Sequence, residues 1–349
     1  MIRTDLESCV YYHLKDNNKS KPKPIKKKII NKIVSLDFFV KNELTNIEKI
    51  KTIPNYKKYY YVCENSSELL VAELDENVNY LKSKKNTSVD NSILLKYEDN
   101  ELIYIKNYLK SSLSRPKIYI LKMVESYKQL LKSISLLNDI QLVHNFINFD
   151  SVVIGENASP ILTNFAFSLD ISSNLDFKPF FIQYDPLYLE WPLEFHILSF
   201  ILTNKLTSLS RNNIEKIINN VIDNHTILKT FGNDLVKEYR HHALDYFTKY
   251  INWHYDDILK DILQFYKTWD NYALSIMYLR VLIDSHRKIA SHEVKKNKFI
   301  ILFMKLLVCN IHLNPLLRLN ISSTLNKFYS IIDCLTIKDW SELLDGMNN

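Results

Sequence analysis

Two stretches of this sequence gather side chains that can do chemistry. The first reads QLVHNFINFDSVVIG over residues 141–155 and continues as ILTNFAFSLD over 161–170. It holds the imidazole of His144, the carboxylates of Asp150 and Asp170, the hydroxyl of Ser151 and the amide of Asn164. An imidazole or a carboxylate can move a proton. Carboxylate, hydroxyl and amide oxygens can hold a hard cation. The plainer reading is a solvated loop for Asp150 and Asp170, and a satisfied, buried His144. The second stretch, RHHALDYFTKYINWHYDD, spans 240–257. It places His241 and Asp245 one helical turn apart, with His254 and Asp257 beyond. Two histidines and a carboxylate can bind zinc. The pattern is common by chance on aromatic-rich helices, so no metal is expected there.

The elements around the first stretch set its geometry. IYILKMVESYKQLLKSISLLNDI, 118–140, repeats apolar residues at spacings of three and four and predicts a helix. Two short strand pairs follow, with Gly155, Glu156 and Asn157 at a turn. Upstream, YKKYYYVC (56–63), ELLVAEL (68–74), SILLKYE (92–98) and ELIYIKNYL (101–109) read as short strands. YEDNE is expected to turn a hairpin between the last two. From residue 193 the pattern is helical, with helices expected over 193–204, 211–222, 232–250, 254–267, 270–284, 296–311 and 321–328. A small sheet-rich part followed by a larger helical part predicts an α+β protein with two lobes.

Bulk properties exclude some classes of function. The chain has 349 residues, 46% of them apolar, enough for one large core or two modest ones. Net charge is +6, a mild preference for acidic partners. NNKSKPKPIKKK, residues 17–28, packs six lysines and two prolines into an expected exposed arm. The stretch from Lys19 to Lys28 is a candidate weak contact for polyanions, with a solvated linker as the plainer reading. Cysteines at 9, 63, 309 and 334 have no metal or redox spacing, and a reducing compartment is expected. The N-terminal residues include acids and lack an apolar core, so no signal peptide is expected. FIILFMKLLVCNI, 299–311, is too short to span a bilayer and is interrupted by Lys305, so no transmembrane segment is expected.

The order of short motifs resembles the eukaryotic-type protein kinase family. That family leads a long helix into a loop written His-Arg-Asp, four variable residues, Asn. Here the helix leads into His144-Asn145-Phe146, and Ser151 stands at the Asn position. The family's next hairpin ends in Asp-Phe-Gly; here it ends Asn164-Phe165-Ala166. An Asp-x-Trp-Ser-Leu-Gly segment opening a buried helix is matched by Asp270-Asn271-Tyr272-Ala273-Leu274-Ser275. A proline, an arginine and a helix-opening Ser or Thr near the end are matched by Pro315, Arg318 and Ser322. Glu194 matches the Glu of Ala-Pro-Glu, with Arg318 as its buried ion-pair partner; a second register puts Tyr184-Asp185-Pro186 there. YDPLYLEWPLEFHIL and TWDNYALSIMYL also resemble kinase-like proteins of large cytoplasmic DNA viruses. The likeness covers roughly residues 50–335 and is best over 118–170 and 268–330.

The resemblance implies a bilobal protein kinase-like fold. Residues 1–28 would be an N-terminal segment and arm, 29–115 a degenerate antiparallel-sheet N-lobe, and 116–335 a helical C-lobe. An added helical block would lie at about 206–267, covering part of the substrate-docking face. Phosphoryl transfer depends on placed charge. Phe146 stands where the family's base is, Ser151 where its second metal ligand is, and Asn164 where its metal carboxylate is. Asn148 replaces the usual lysine of the loop. Phe146 and Phe149 are read as packing into space a kinase leaves polar, and His144 as steadying the loop backbone. No glycine precedes Gly155, so no glycine-rich phosphate clamp is expected. VAEL, 71–74, puts Leu74 where a phosphate lysine would stand, with Lys82, Lys84 and Lys96 as possible substitutes. The expectation is an inactive kinase-like protein that binds a protein partner, without cofactor, in host cytoplasm or virion and not secreted. The alternatives are an unorthodox serine/threonine kinase using ATP with Mg²⁺ and Asp150 or Asp170, and a viral structural or packaging protein.

Overall fold

The computed structural model describes residues 10–12, 29–68, 92–98, 102–155, 158–288 and 298–335. The arm from Lys19 to Lys28, VAEL with Leu74, and Lys82, Lys84, Glu156 and Asn157 lie outside the described residues.

Strands collect in the first half of the chain. β1 (Val10–Tyr12), β2 (Ile29–Ser35), β3 (Asn65–Glu68) and β4 (Ser92–Glu98) make an antiparallel sheet in the order β1-β2-β4-β3. β2 and β4 pair along their whole length, from Ile29 opposite Glu98 to Ser35 opposite Ser92. Alternation decides which side of β4 is covered: Ile93 and Leu95 are buried, while Leu94 and Lys96 are half-buried.

Between β2 and β3 the chain forms α1 (Phe38–Lys51). Asp37 caps it, accepting a 2.9 Å bond from the Val40 N–H. Lys49 and Lys51 sit in its last turn, where the helix dipole favours cations. Asn42, Glu43, Asn46, Ile47 and Ile50 form its buried face at helical spacing.

Three expectations in this region are corrected. No strand forms over 56–63: Tyr56–Lys58 is a 3-10 turn entered through Asn55 at φ 56, and only Tyr60 bridges a strand, at Leu162. The strand expected at 101–109 is reduced to β5 (Ile103–Tyr104), which turns directly into α2 (Ile105–Lys110). Ile105 and Leu109, one helical turn apart, are buried there, so packing favours helix over strand. The YEDNE hairpin is not made, because β4 pairs with β2 and β3 while β5 pairs with β7 (Val152–Ile154).

α3 (Pro116–Asp139) opens on a proline, which lacks only an N–H that the first turn leaves unbonded anyway. Its Met123, Tyr127, Leu130, Leu131, Ile134 and Leu137 are wholly buried. The chain then makes β6 (Leu142–Val143), β7, β8 (Pro160–Leu162) and β9 (Leu169–Asp170). β7 pairs with β8 and β6 with β9, both antiparallel.

The rest is helical: α4 (Leu193–Thr203), α5 (Arg211–Asn224), α6 (Thr226–Lys229), α7 (Asn233–Phe247), α8 (Tyr255–Ile262), α9 (Trp269–Lys288), α10 (Lys298–Asn310) and α11 (Ile321–Asp333). One core joins α3, α9, α10 and α11 to the underside of the sheets. A second joins α4, α5, α7 and α8 to Phe177, Phe180 and Phe181. The architecture is therefore α+β, with small sheets early and a large helical region after them. Among the described residues no helix is long and apolar enough to cross a membrane.

Candidate functional site

The loop 144–151 lies between the β6–β9 pair and the β7–β8 hairpin, and the first residues of α9 hold it. Asp270 accepts the backbone N–H of His144 at 2.7 Å and of Asn145 at 2.9 Å. Burial pushes the Asp270 carboxyl up to about 6, and those two bonds pull the other way. Asn145 takes a left-handed backbone, φ 60, which asparagine tolerates well, and its amide donates to the Phe167 carbonyl at 3.2 Å.

His144 is fully occupied. Its Nδ1 accepts from the Phe146 N–H at 3.3 Å, so its Nε2 carries the proton and donates to the Thr163 carbonyl at 3.0 Å. Its ring meets Phe165 edge to face at 4.8 Å. Burial pushes its pKa down to about 4. A neutral, wholly buried imidazole with both nitrogens engaged steadies the loop and has no lone pair left for a substrate.

Phe146 is buried, stacked on Phe167 at 5.0 Å and parallel to Tyr188 at 6.3 Å. Phe149 is half-buried beneath the Lys106 ammonium, 5.4 Å from its ring centre. Ser151 is buried, and its hydroxyl accepts the Asn148 N–H at 2.9 Å and faces the Asn148 carbonyl at 3.2 Å. The Asn148 side chain accepts the N–H groups of Asp150 and Ser151 and donates to the Tyr188 hydroxyl. The loop thus closes on itself through Asn148 and Ser151.

The hairpin brings Asn164 beside this loop, since the Thr163 N–H donates to the Ser151 carbonyl at 2.9 Å. Asn164 is half-buried at φ 67, and its amide makes no hydrogen bond among the described residues. Asp150 is exposed and makes no ion pair among the described residues. Asp170 is bound elsewhere, 2.6 Å from the Lys49 ammonium and bonded twice to Ser172. Burial pushes its carboxyl up, but Lys49 and Ser172 outweigh that and hold it below its ordinary value.

Two residues of this region have no counterpart in the sequence reading. Glu43, on α1, is buried, and burial pushes its carboxyl up against the pull of Lys32 and the backbone N–H of Phe165. Lys32 lies on β2, a strand the sequence reading passed over. FFVKNELTNIEKIK after Asp37 has a capped helical period, so the helix that carries Glu43 was legible, but nothing local to it points to Lys32.

Glu194 and Arg318 meet as an ion pair with both side chains wholly buried, and Trp269 Nε1 donates to the same Glu194 oxygen at 3.3 Å. The sequence missed a second pair, between Arg280 of α9 and the buried Glu190. His241 and Asp245 meet at 3.3 Å on the surface of α7. No group of three or more His, Cys, Asp or Glu side chains suited to a metal gathers among the described residues. The helices within 206–267 pack on α4 and on the turn Lys178–Phe181, and it is Tyr188 with Phe167 that covers Phe146. Comparison of the chain with protein-family models and with curated proteins gave no match.

Proposed function

We propose that this chain is a protein kinase-like protein, with an N-terminal sheet lobe over a helical lobe, that does not transfer phosphate and acts by binding another protein. The observation that carries the reading is Phe146. The resemblance requires an acid there to orient a hydroxyl, and a phenyl ring stacked between Phe167 and Tyr188 fills the space instead.

Other features support the kinase-like part. A lysine on a strand paired with a glutamate on the adjoining helix is the arrangement that family uses around ATP phosphates; here the charge of Lys32 on β2 pulls on the Glu43 carboxyl of α1, without an ion pair between them among the described residues. The β1-β2-β4-β3 sheet with α1 beside it, the buried Glu194–Arg318 pair and the buried start of α9 agree with a two-lobed member. The loss of activity is supported by Ser151, whose hydroxyl is engaged within its own loop, and by Asn164, which brings an amide where a carboxylate would hold Mg²⁺. Asp170 is an unpromising substitute because Lys49 already neutralises it.

The test incubates the purified chain with γ-labelled ATP, Mg²⁺ or Mn²⁺, generic protein substrates and itself. No label above background is expected. Incorporation by the wild-type chain that disappears in Asp150→Ala with Asp170→Ala would overturn the inactive reading and favour an unorthodox kinase.

A further inference from the structure

A groove of about 740 Å³ runs along one face of α3 and shares no residue with the loop 144–151. That volume falls within the usual range of binding clefts, about 300–1,000 Å³. Leu121, Lys122, Glu125, Lys128, Gln129 and Lys132 form its floor. Their spacing puts them on a single helix face. Tyr108 of α2, the turn at Ala158 to Pro160, and Leu325 and Tyr329 of α11 line the rest.

The charge of this groove is uncompensated. Three lysines line it against one acid, Glu125. None of the three makes an ion pair among the described residues. Two of them rest on aromatic rings instead: Lys122 lies 3.8 Å from the centre of Tyr108, and Lys128 5.7 Å from that of Tyr329. Apolar surface is present beside the charge, with Leu121 49% and Tyr329 41% exposed.

We propose that this groove docks an extended, acidic segment of another protein. Lys122 to Lys132 spans about 15 Å along the helix axis at about 1.5 Å per residue. An extended peptide rises about 3.3 Å per residue, so about five residues cover that distance. Alternate side chains of such a peptide share a face and stand about 7 Å apart. The lysines at 122, 128 and 132 are separated by about 9 and 6 Å on the same reckoning. A segment with carboxylates at alternate positions therefore matches the cations, and its other side chains meet Leu121, Leu325 and the two tyrosines. The match does not depend on whether the chain transfers phosphate.

The probe is a fluorescein-labelled peptide of about six residues with glutamate alternating with leucine or phenylalanine. The full chain is titrated into it and read by anisotropy at about 50 mM and about 200 mM salt. Saturable binding that weakens with salt is expected. Lys128→Glu with Lys132→Glu, both on exposed positions, should weaken it at least about tenfold. Tyr329→Ala should weaken it severalfold. Lys237→Glu on α7 should leave it unchanged, and all variants should keep the wild-type circular dichroism melting curve. Absence of saturable binding, or equal affinity for the double variant, overturns the proposal. So does equal affinity for a peptide with lysine in place of glutamate. Tighter binding of a single-stranded oligonucleotide through the same lysines would also overturn it, by making the groove a nucleic-acid site.

Discussion

Arg318 and Glu194 show what one buried pair contributes. Both side chains are wholly excluded from solvent, and Arg318 Nε and Nη1 and Glu194 Oε2 have no partner within bonding distance. Taking charges out of water is costly, and their mutual attraction offsets that only while both are present. Removing one leaves the other buried and alone. Arg318→Met is therefore expected to lower unfolding free energy by about 3–5 kcal/mol. Arg318→Met with Glu194→Leu should recover most of that loss. Urea unfolding of the wild type, the two single variants and the double variant completes the cycle. A double variant as unstable as the sum of its singles would show that the pair is not coupled.

Helix α1 is attached to the loop 164–170 by polar bonds as well as by packing. The Asn42 amide donates to the carbonyls of Ala166 at 2.9 Å and Ser168 at 2.8 Å, and the Asn46 amide to Ser168 at 3.1 Å. Lys49 to Asp170 is a third link along the same face. The helix thus supplies the donors that an irregular segment needs for its buried carbonyls. A buried carbonyl left without a donor costs about 1–3 kcal/mol. Asn42→Ala with Asn46→Ala should free both ends of this contact. Hydrogen–deuterium exchange should rise in residues 38–51 and 164–170 together, with α5 and α7 unchanged. Faster exchange confined to the helix would mean that the loop holds its own shape without it.

Folding of the whole molecule is linked to protons through histidines placed in its cores. Burial pushes His144 and His196 down to about 4 and His225 to about 3, from an ordinary 6.5. His196 serves best, since it is wholly buried and burial outweighs the opposing pull of the Trp191 backbone. Below about 6.5 the unfolded chain takes up a proton at this residue that the folded chain refuses until about 4. Stability from this group is thus complete at neutral pH and is lost as pH falls through that window. His196→Leu removes the effect and fills the site with apolar volume. Its stability relative to wild type should improve by about 1.4 kcal/mol for each pH unit below about 6.5, and level off near pH 4. Urea midpoints for both proteins at several pH values read the difference directly, and other titrating groups cancel. A constant difference across that range would contradict the burial argument.

The sequence by itself determined the elements whose apolar spacing is regular. The helix at 118–140, the paired strands around 144–170 and the helices after 193 were legible because burial of a helix face or strand face imposes a period on the chain. The positions Phe146, Ser151 and Asn164 came from the resemblance to a family, not from any local period. What only the tertiary structure decided is partnership. Lys32 and Glu43 lie on different elements, and nothing local to either reports the other. The supposed strand at 56–63 gave way to a turn, most of the supposed strand at 101–109 became helix, and β4 and β5 do not pair with each other, because β2 takes the long pairing edge of β4 and β5 pairs with β7. Asp170, which local pattern leaves as a solvated loop residue, is bound by Lys49, 121 residues earlier in the chain. Local pattern records what a segment needs to bury; which group answers a buried charge or carbonyl depends on contacts between segments far apart in the chain.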